Sequence, residues 1–349
     1  MVLIDLLILI FVLLLLLPLL VKKVEHNLEL FLFAVGSFTL VLSHLIGPEP
    51  LFTMRLVKSA FFAPIKLTIA TLVFGLAFRA IREPMKRRIL AIEDRLGPRT
   101  FAFFLIFSLG LLSSVITAII AALVLCEVVS AISLDKKQGT RLVVFACFSI
   151  GMGAALTPIG MPLSTIAMAK LGKGTFNTDF LMMTRTFGIY ILTGLVVISV
   201  VGCLSRGRKV TRSENLPEDV IEPFRQIALR AFKVYLFVMA LILLGTGFKP
   251  LVDLYVVKMP APSLYWFNMM SAILDNATLA AAELGPSLSN AQVKGVIMGL
   301  IISGGMLIPG NIPNIIAANK LHISSRAWAA IGVPAGMGLM VLFFFVLFR

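Results

Sequence analysis

Asp275 and Asn276 stand in the middle of Ser271-Ala272-Ile273-Leu274-Asp275-Asn276-Ala277-Thr278, a run otherwise apolar enough to sit in lipid. An ionisable side chain at membrane depth costs about 3 kcal/mol or more, so its presence there points to function. The bland alternative is a short extracellular turn between two helices. Further oxygen donors gather in the same kind of surroundings: Asn276, Thr278, Asn311 and Asn314 in the C-terminal half, and Ser113, Ser114, Thr117, Thr157, Ser164 and Thr165 in the N-terminal half. Oxygen ligands of this kind suit a hard cation. Asp275 is the single carboxylate among them, so a proton and a cation would compete for it. Such competition, at a site opened alternately to each side, suffices for exchange of a small cation such as Na⁺ for protons.

The elements that would position these residues follow from composition. Of 349 residues, 59% are hydrophobic and 14% charged, with mean hydropathy +1.01. Soluble domains carry about 25% charged residues. Several apolar stretches reach the about 20 residues that a helix needs to cross a bilayer. The expected fold is an all-α polytopic membrane protein, without the alternation of a β-barrel. The formal charge of +14 is read as basic cytoplasmic loops rather than a nucleic-acid surface. Cys126, Cys147 and Cys203 lie in apolar segments without metal spacing and read as small core residues. No cofactor is expected, only a transported or coupling Na⁺. The partners expected are the lipid bilayer and a small ion.

Spans are expected at residues 2–21, 29–46 and 61–80, followed by a basic surface helix at 79–99. The first is read as a retained span because it lacks a basic leader and a small-residue cleavage site. Residues 100–133 are too long for one span and too short for two with a loop, which predicts a re-entrant hairpin with Ser113, Ser114 and Thr117 at its turn. Residues 142–171 carry Pro158, Gly160 and Pro162, which together predict a broken helix. A further span is expected at 181–203. The second half repeats the order: a span at 231–248, an apolar segment at 264–285 interrupted at Asp275-Asn276, a second broken helix at 292–320, and a span at 327–348. Pro309, Gly310 and Pro313 mark that second break. The chain thus divides into N-terminal spans (1–55), a first repeat (56–205), a cytoplasmic linker (206–229) and a second repeat (230–349).

The repeat is visible residue by residue. Thr157 to Pro162 aligns with Ile308 to Pro313 at a constant offset, and beyond one inserted residue Ser164 falls opposite Asn314. Ser113 to Ala122 aligns with Ser271 to Ala280, which sets Thr117 opposite Asp275 and Ala118 opposite Asn276. Paired Pro/Gly-interrupted segments are the best sequence pointer to a transporter's binding site. With both odd segments taken as hairpins, 21 of the 31 Lys and Arg fall on one side: Lys22, Lys23, the seven from Arg79 to Arg99, Lys136, Lys137, Arg141, the seven from Arg206 to Lys233, Lys320 and Arg326. That asymmetry marks the cytoplasmic face. It leaves the N-terminus external and gives the repeats opposite orientation. Glu127 and Glu283 are expected near hairpin ends, where water reaches them.

Ser271 to Thr278 resembles the Asp-Asn motif of the ion transporter superfamily, which includes arsenite permeases, NhaD-type sodium/proton antiporters and the melanosomal P protein. Gly304-Gly305-Met306-Leu307-Ile308-Pro309-Gly310-Asn311-Ile312-Pro313-Asn314 is similar to that group's glycine-rich motif. The shortness of the chain resembles a prokaryotic branch predicted to carry cations. The resemblance implies two inverted-topology repeats in a prokaryotic inner membrane, with secondary transport as the activity. It also implies a homodimer. Export or Na⁺-coupled transport of a small anion, such as arsenite or a carboxylate, is the second reading. Without Arg or Lys near the breaks, large organic anions are disfavoured. An enzyme is not expected, since no histidine or second carboxylate pairs with Asp275.

Overall fold

In lipid a backbone must satisfy its own polar groups, and this chain does so by helix formation. The computed structural model describes all residues except 1, 22, 25–26, 47–52, 55, 63, 66–67, 70–71, 74–90, 133, 172–178, 207–223, 252–253, 256–257, 275 and 286–287. The principal helices in chain order are α1 (Val2–Leu20), α2 (Leu28–Ile46), α3 (Pro98–Ile116), α4 (Ala118–Ile132), α5 (Lys136–Ala154), α6 (Pro162–Leu171) and α7 (Met182–Ser205). They continue with α8 (Phe224–Gly247), α9 (Ala261–Phe267), α10 (Asn276–Glu283), α11 (Asn290–Ser303), α12 (Ile312–Lys320) and α13 (Ser325–Leu347). Among the described residues, 3₁₀ turns at Asn268–Ala272 and Ile308–Gly310 lie between them. No β-strand occurs among the described residues. Among the described residues four helices, α2, α3, α7 and α13, are long and apolar enough to cross a membrane. The protein is an all-α membrane protein.

Helix α7 shows how these spans are apolar on every side. Phe187, Ile191, Leu195, Ile198 and Gly202 are buried against the protein. Ile189, Leu192, Val196, Val200 and Leu204 recur at the same spacing on the opposite face and are exposed. A helix apolar all round is stable where lipid takes the place of water. Within the bundle, small residues let backbones approach. Helices α3 and α5 cross at Gly110 and Gly153 so closely that a Cβ on Gly153 would overlap the Gly110 carbonyl.

Several expectations fall on undescribed residues: most of the span at 61–80, most of the basic segment at 79–99, and most of the linker at 206–229. Elsewhere the helices start or stop a few residues from the expected bounds. The stretch at 100–133 is more unequal than a short hairpin. Its turn falls at Thr117, as the hydroxyl cluster indicates, but α3 has 19 residues. At about 1.5 Å per residue that alone approaches the hydrocarbon thickness. Helix α4 is shorter, with 15 residues, and packs back on α3. The corresponding part of the C-terminal half is compact: α9, the turn at Asn268–Ala272, and α10.

The halves interlock through their short helices. Helix α6, which follows the first break, packs on α10, while α12, which follows the second, packs on α4. Helix α5 also touches α11, α12 and α13. Helices α2 and α8 form a long pair, where the Ser43 hydroxyl donates to the Gly247 carbonyl.

Candidate functional site

Pro158 and Pro162 remove backbone donors, and helix α5 accordingly stops at Ala154 with irregular backbone until α6 begins. The carbonyls freed by this break are taken up by hydroxyls. Ser164 Oγ donates to Ala155 O at 2.8 Å, Thr165 Oγ1 to Pro158 O at 3.0 Å, and Thr184 Oγ1 to Leu156 O at 2.7 Å. Thr157 donates to the Ser114 carbonyl, at the end of α3. Ser113 Oγ lies 2.6 Å from Gly110 O and 3.0 Å from Ile150 O, and Ser114 Oγ donates to Leu111 O at 2.7 Å. Each hydroxyl oxygen so engaged keeps lone pairs for a further partner.

Thr117 closes α3 with φ 76° and ψ 149°. A β-branched residue in that region is strained, and such strain persists only where surrounding contacts impose it. Those contacts are present: Thr117 Oγ1 accepts from Ile120 N at 3.3 Å, and Ala118 N donates to Gly160 O at 2.9 Å. Gly160 fits because a Cβ there would run into the Ala154 carbonyl. The turn at Thr117 is thus tied to the break it faces.

The second break has the same plan with different chemistry. Helix α11 ends at Ser303, the 3₁₀ turn carries Pro309 and Gly310, and Asn311 is extended at φ −154° before α12. Asn314 Nδ2 reaches back to Gly304 O at 2.8 Å and Leu307 O at 2.9 Å. Ser271 Oγ donates to Leu300 O at 3.3 Å. Around Gly310 three carbonyl oxygens converge. A Cβ on Gly310 would lie 2.5 Å from Ser271 O, 2.6 Å from Gly304 O and 2.9 Å from Ala272 O. Asn276 lies near Gly304, its amide 3.5 Å from where a Cβ on that glycine would sit. Asn276 Nδ2 and Asn314 Oδ1 are buried without hydrogen-bond partners among the described residues.

The candidate residues therefore form two groups. Ser113, Ser114, Thr117, Thr157, Ser164 and Thr165 surround the first break; Asn276, Asn311 and Asn314 surround the second. The groups adjoin where the Asn311 amide lies against Gly151 of α5, 2.5 Å from the position of a Cβ there. Cys147 Sγ in α5 sits 3.8 Å from Pro313 O. Asp275 lies outside the described residues, as does the side chain of Thr278.

Two carboxylates depart from expectation. Glu127 and Glu283 are buried rather than water-exposed. Glu127 of α4 is ion-paired with Lys320 at the end of α12, across the two halves. Glu283 Oε2 accepts from Asn268 Nδ2 at 2.8 Å, while Glu283 Oε1 and Asn268 Oδ1 have no partner among the described residues. Sequence reasoning passed over Asn268. Its signal was a lone amide within the apolar run from Leu264 to Leu274.

Residues 4–349 match the model of a family described as "Protein of unknown function (DUF1646)". No curated protein matches the chain.

Proposed function

The chain belongs to the DUF1646 family, and we propose that it is a secondary active transporter exchanging a small inorganic cation, Na⁺, for protons by alternating access. One observation carries this reading: Ser271 O, Gly304 O and Ala272 O converge at Gly310, beside Asn314, whose Oδ1 is buried and unpartnered among the described residues. Of these acceptors Gly304 O receives the Asn314 Nδ2 donor, yet clustered oxygens still repel one another, and a cation relieves that repulsion. Carbonyls freed by unwinding are the usual means of holding Na⁺ within a transporter. Asp275, directly before α10, supplies the negative charge in this scheme and exchanges Na⁺ for a proton.

In this reading the halves are repeats of opposite orientation, each with a hairpin set against a broken helix. Matched contacts support it. Ser164 bonds across the first break to Ala155 O, and its aligned residue Asn314 bonds across the second to Gly304 O. Ser113 reaches Ile150 O in the first half as Ser271 reaches Leu300 O in the second. The packing of α6 on α10 and of α12 on α4 is likewise reciprocal.

Small-anion transport is the second reading. The start of α12 favours it, since Asn311 makes no side-chain cap there, and helix N-termini attract negative charge. Proteoliposomes separate the two. The exchange reading requires proton movement on adding Na⁺ and its loss in Asp275→Asn. Movement of arsenite or a carboxylate, with no response to Na⁺ or Li⁺, rejects it.

A further inference from the structure

Helix α10 ends in Glu283, whose side chain is only 2% exposed and faces the fully buried Asn268 of the preceding 3₁₀ turn. The two meet through one hydrogen bond, Asn268 Nδ2 to Glu283 Oε2 at 2.8 Å. Each then retains one oxygen, Glu283 Oε1 and Asn268 Oδ1, that is buried and without a partner among the described residues. Asn268 is otherwise well fixed. Its Nδ2 also donates to Leu264 O at 2.9 Å, and its own carbonyl accepts from Ser303 Oγ at 2.7 Å.

Unpartnered acceptors on two side chains already joined by a hydrogen bond are costly, because a buried polar atom without a hydrogen bond loses its hydration uncompensated. A single proton removes both deficits. An ionised carboxylate only accepts, but a protonated one has an O–H to donate, and the amide oxygen of Asn268 is an acceptor awaiting a donor. Protonation at Oε1 would supply an O–H for Oδ1 while the amide N–H to Oε2 is kept. The carboxyl O–H is the one bond made, at the expense of an O–H of hydronium; the proton comes from water and returns to it.

We propose that Glu283 and Asn268 form a buried proton-binding pair, in which Glu283 carries the proton and Asn268 positions it. The inference is independent of the transport reading and of Asp275, since it concerns occupancy of a different carboxyl group. The charged and titratable groups on elements packed against α10 are few. Helix α8 brings Arg225, Arg230, Lys233 and Tyr235, α11 brings Lys294, and α6 brings Lys170. The side chains of Arg230 and Lys170 lie outside the described residues, as does Asp275 at the start of α10. Lys233 pairs with Glu29 at 3.7 Å, and Tyr235 donates to Phe61 O at 3.0 Å. Among the described residues, Asn268 alone bonds to the Glu283 carboxylate.

Infrared difference spectroscopy of the purified full chain tests this without reference to transport. Wild-type protein should show a protonated-carboxyl C=O band at neutral pH that shifts in D₂O and is lost in Glu283→Gln. The side-chain amide introduced by that substitution can reproduce both hydrogen bonds, so the variant should fold. Asn268→Ala, a second probe, should shift the band by removing its acceptor without abolishing it. A spectrum with no band assignable to Glu283, from mildly acidic to mildly alkaline pH, overturns the proposal. Carboxylate bands of Glu283 that shift on adding Na⁺, in place of a protonated band, also overturn it and make the pair a cation site.

Discussion

Asn314 reaches back across the second helix break to the carbonyl of Gly304 at 2.8 Å. The same amide holds Leu307 O at 2.9 Å, so one side chain secures two carbonyls freed by unwinding. Hydrogen bonds inside membrane proteins contribute about 0.6 kcal/mol each on average, and up to about 1.7. Asn314→Ala should therefore destabilise by about 1–3 kcal/mol, measured as a lower midpoint of thermal unfolding in detergent. Asn314→Asp keeps the shape but loses both donors, and it should be at least as damaging in the absence of a cation. Near-wild-type stability in both variants would show that these bonds do not hold the break.

Thr117 gives a prediction whose sign does not depend on the transported ion. Its φ of 76° is accessible to glycine without strain. Thr117→Ala and Thr117→Gly both lose the bond to Ile120 N, but only the glycine relieves the backbone. The glycine variant should be more stable than the alanine variant by about 1 kcal/mol, the reverse of the order expected within a helix. Paired thermal melts check this. If transport is then measured, a turn held rigid for function should work less well in the relaxed glycine variant.

The crossing of α3 and α5 offers a packing test. A Cβ on Gly153 would collide with backbone at Gly110, whereas one on Gly338 in α13 meets nothing within 4 Å. Gly153→Ala should cost about 1–3 kcal/mol by overpacking. Gly338→Ala should be neutral or stabilising by up to about 1 kcal/mol, since alanine is the better helix former. Equal effects in the two variants would contradict the close crossing.

Much of this architecture was legible because prolines and glycines leave local signatures. Pro158 and Pro162, and Pro309 and Pro313, locate both breaks from sequence alone, and the hydroxyls before Thr117 locate its turn. What the sequence concealed depends on distant contacts. Glu127 looks like a water-reached hairpin residue until Lys320 is set beside it. Glu283 looks similar until the turn at Asn268–Ala272 folds over it. Neither periodicity nor charge counting registers Asn268, which is one polar residue among apolar neighbours. The length of α3 was hidden for another reason: composition bounds a stretch of apolar residues but does not apportion it between two helices.

The pair Glu127–Lys320 joins α4 of one half to α12 of the other. Removing one partner of a largely buried ion pair leaves a charge without its counterion, which costs more than removing both. Lys320→Met should lower the unfolding midpoint more than the double substitution Glu127→Gln with Lys320→Met. A double-mutant cycle should return a coupling of about 0.5–3 kcal/mol. Additive effects would mean that the pair does not tie the halves together.

Gly310 provides the most direct test of the proposed cation site. Its Cα position leaves the space into which Ser271 O, Gly304 O and Ala272 O point, and a Cβ there would sit 2.5 Å from the nearest of them. A ligand that binds only the folded state stabilises it by RT ln(1 + [L]/Kd), about 2.7 kcal/mol at one hundred times Kd. Na⁺ should therefore raise the unfolding midpoint of the wild-type chain, in a dose-dependent way that choline at equal ionic strength does not match. Gly310→Ala should lower the basal midpoint and abolish the Na⁺ increment. Asp275→Asn should keep the basal midpoint and lose most of the increment, because it removes charge without adding bulk. If Gly310→Ala retains a full Na⁺ response, the carbonyl cluster is not where the cation binds.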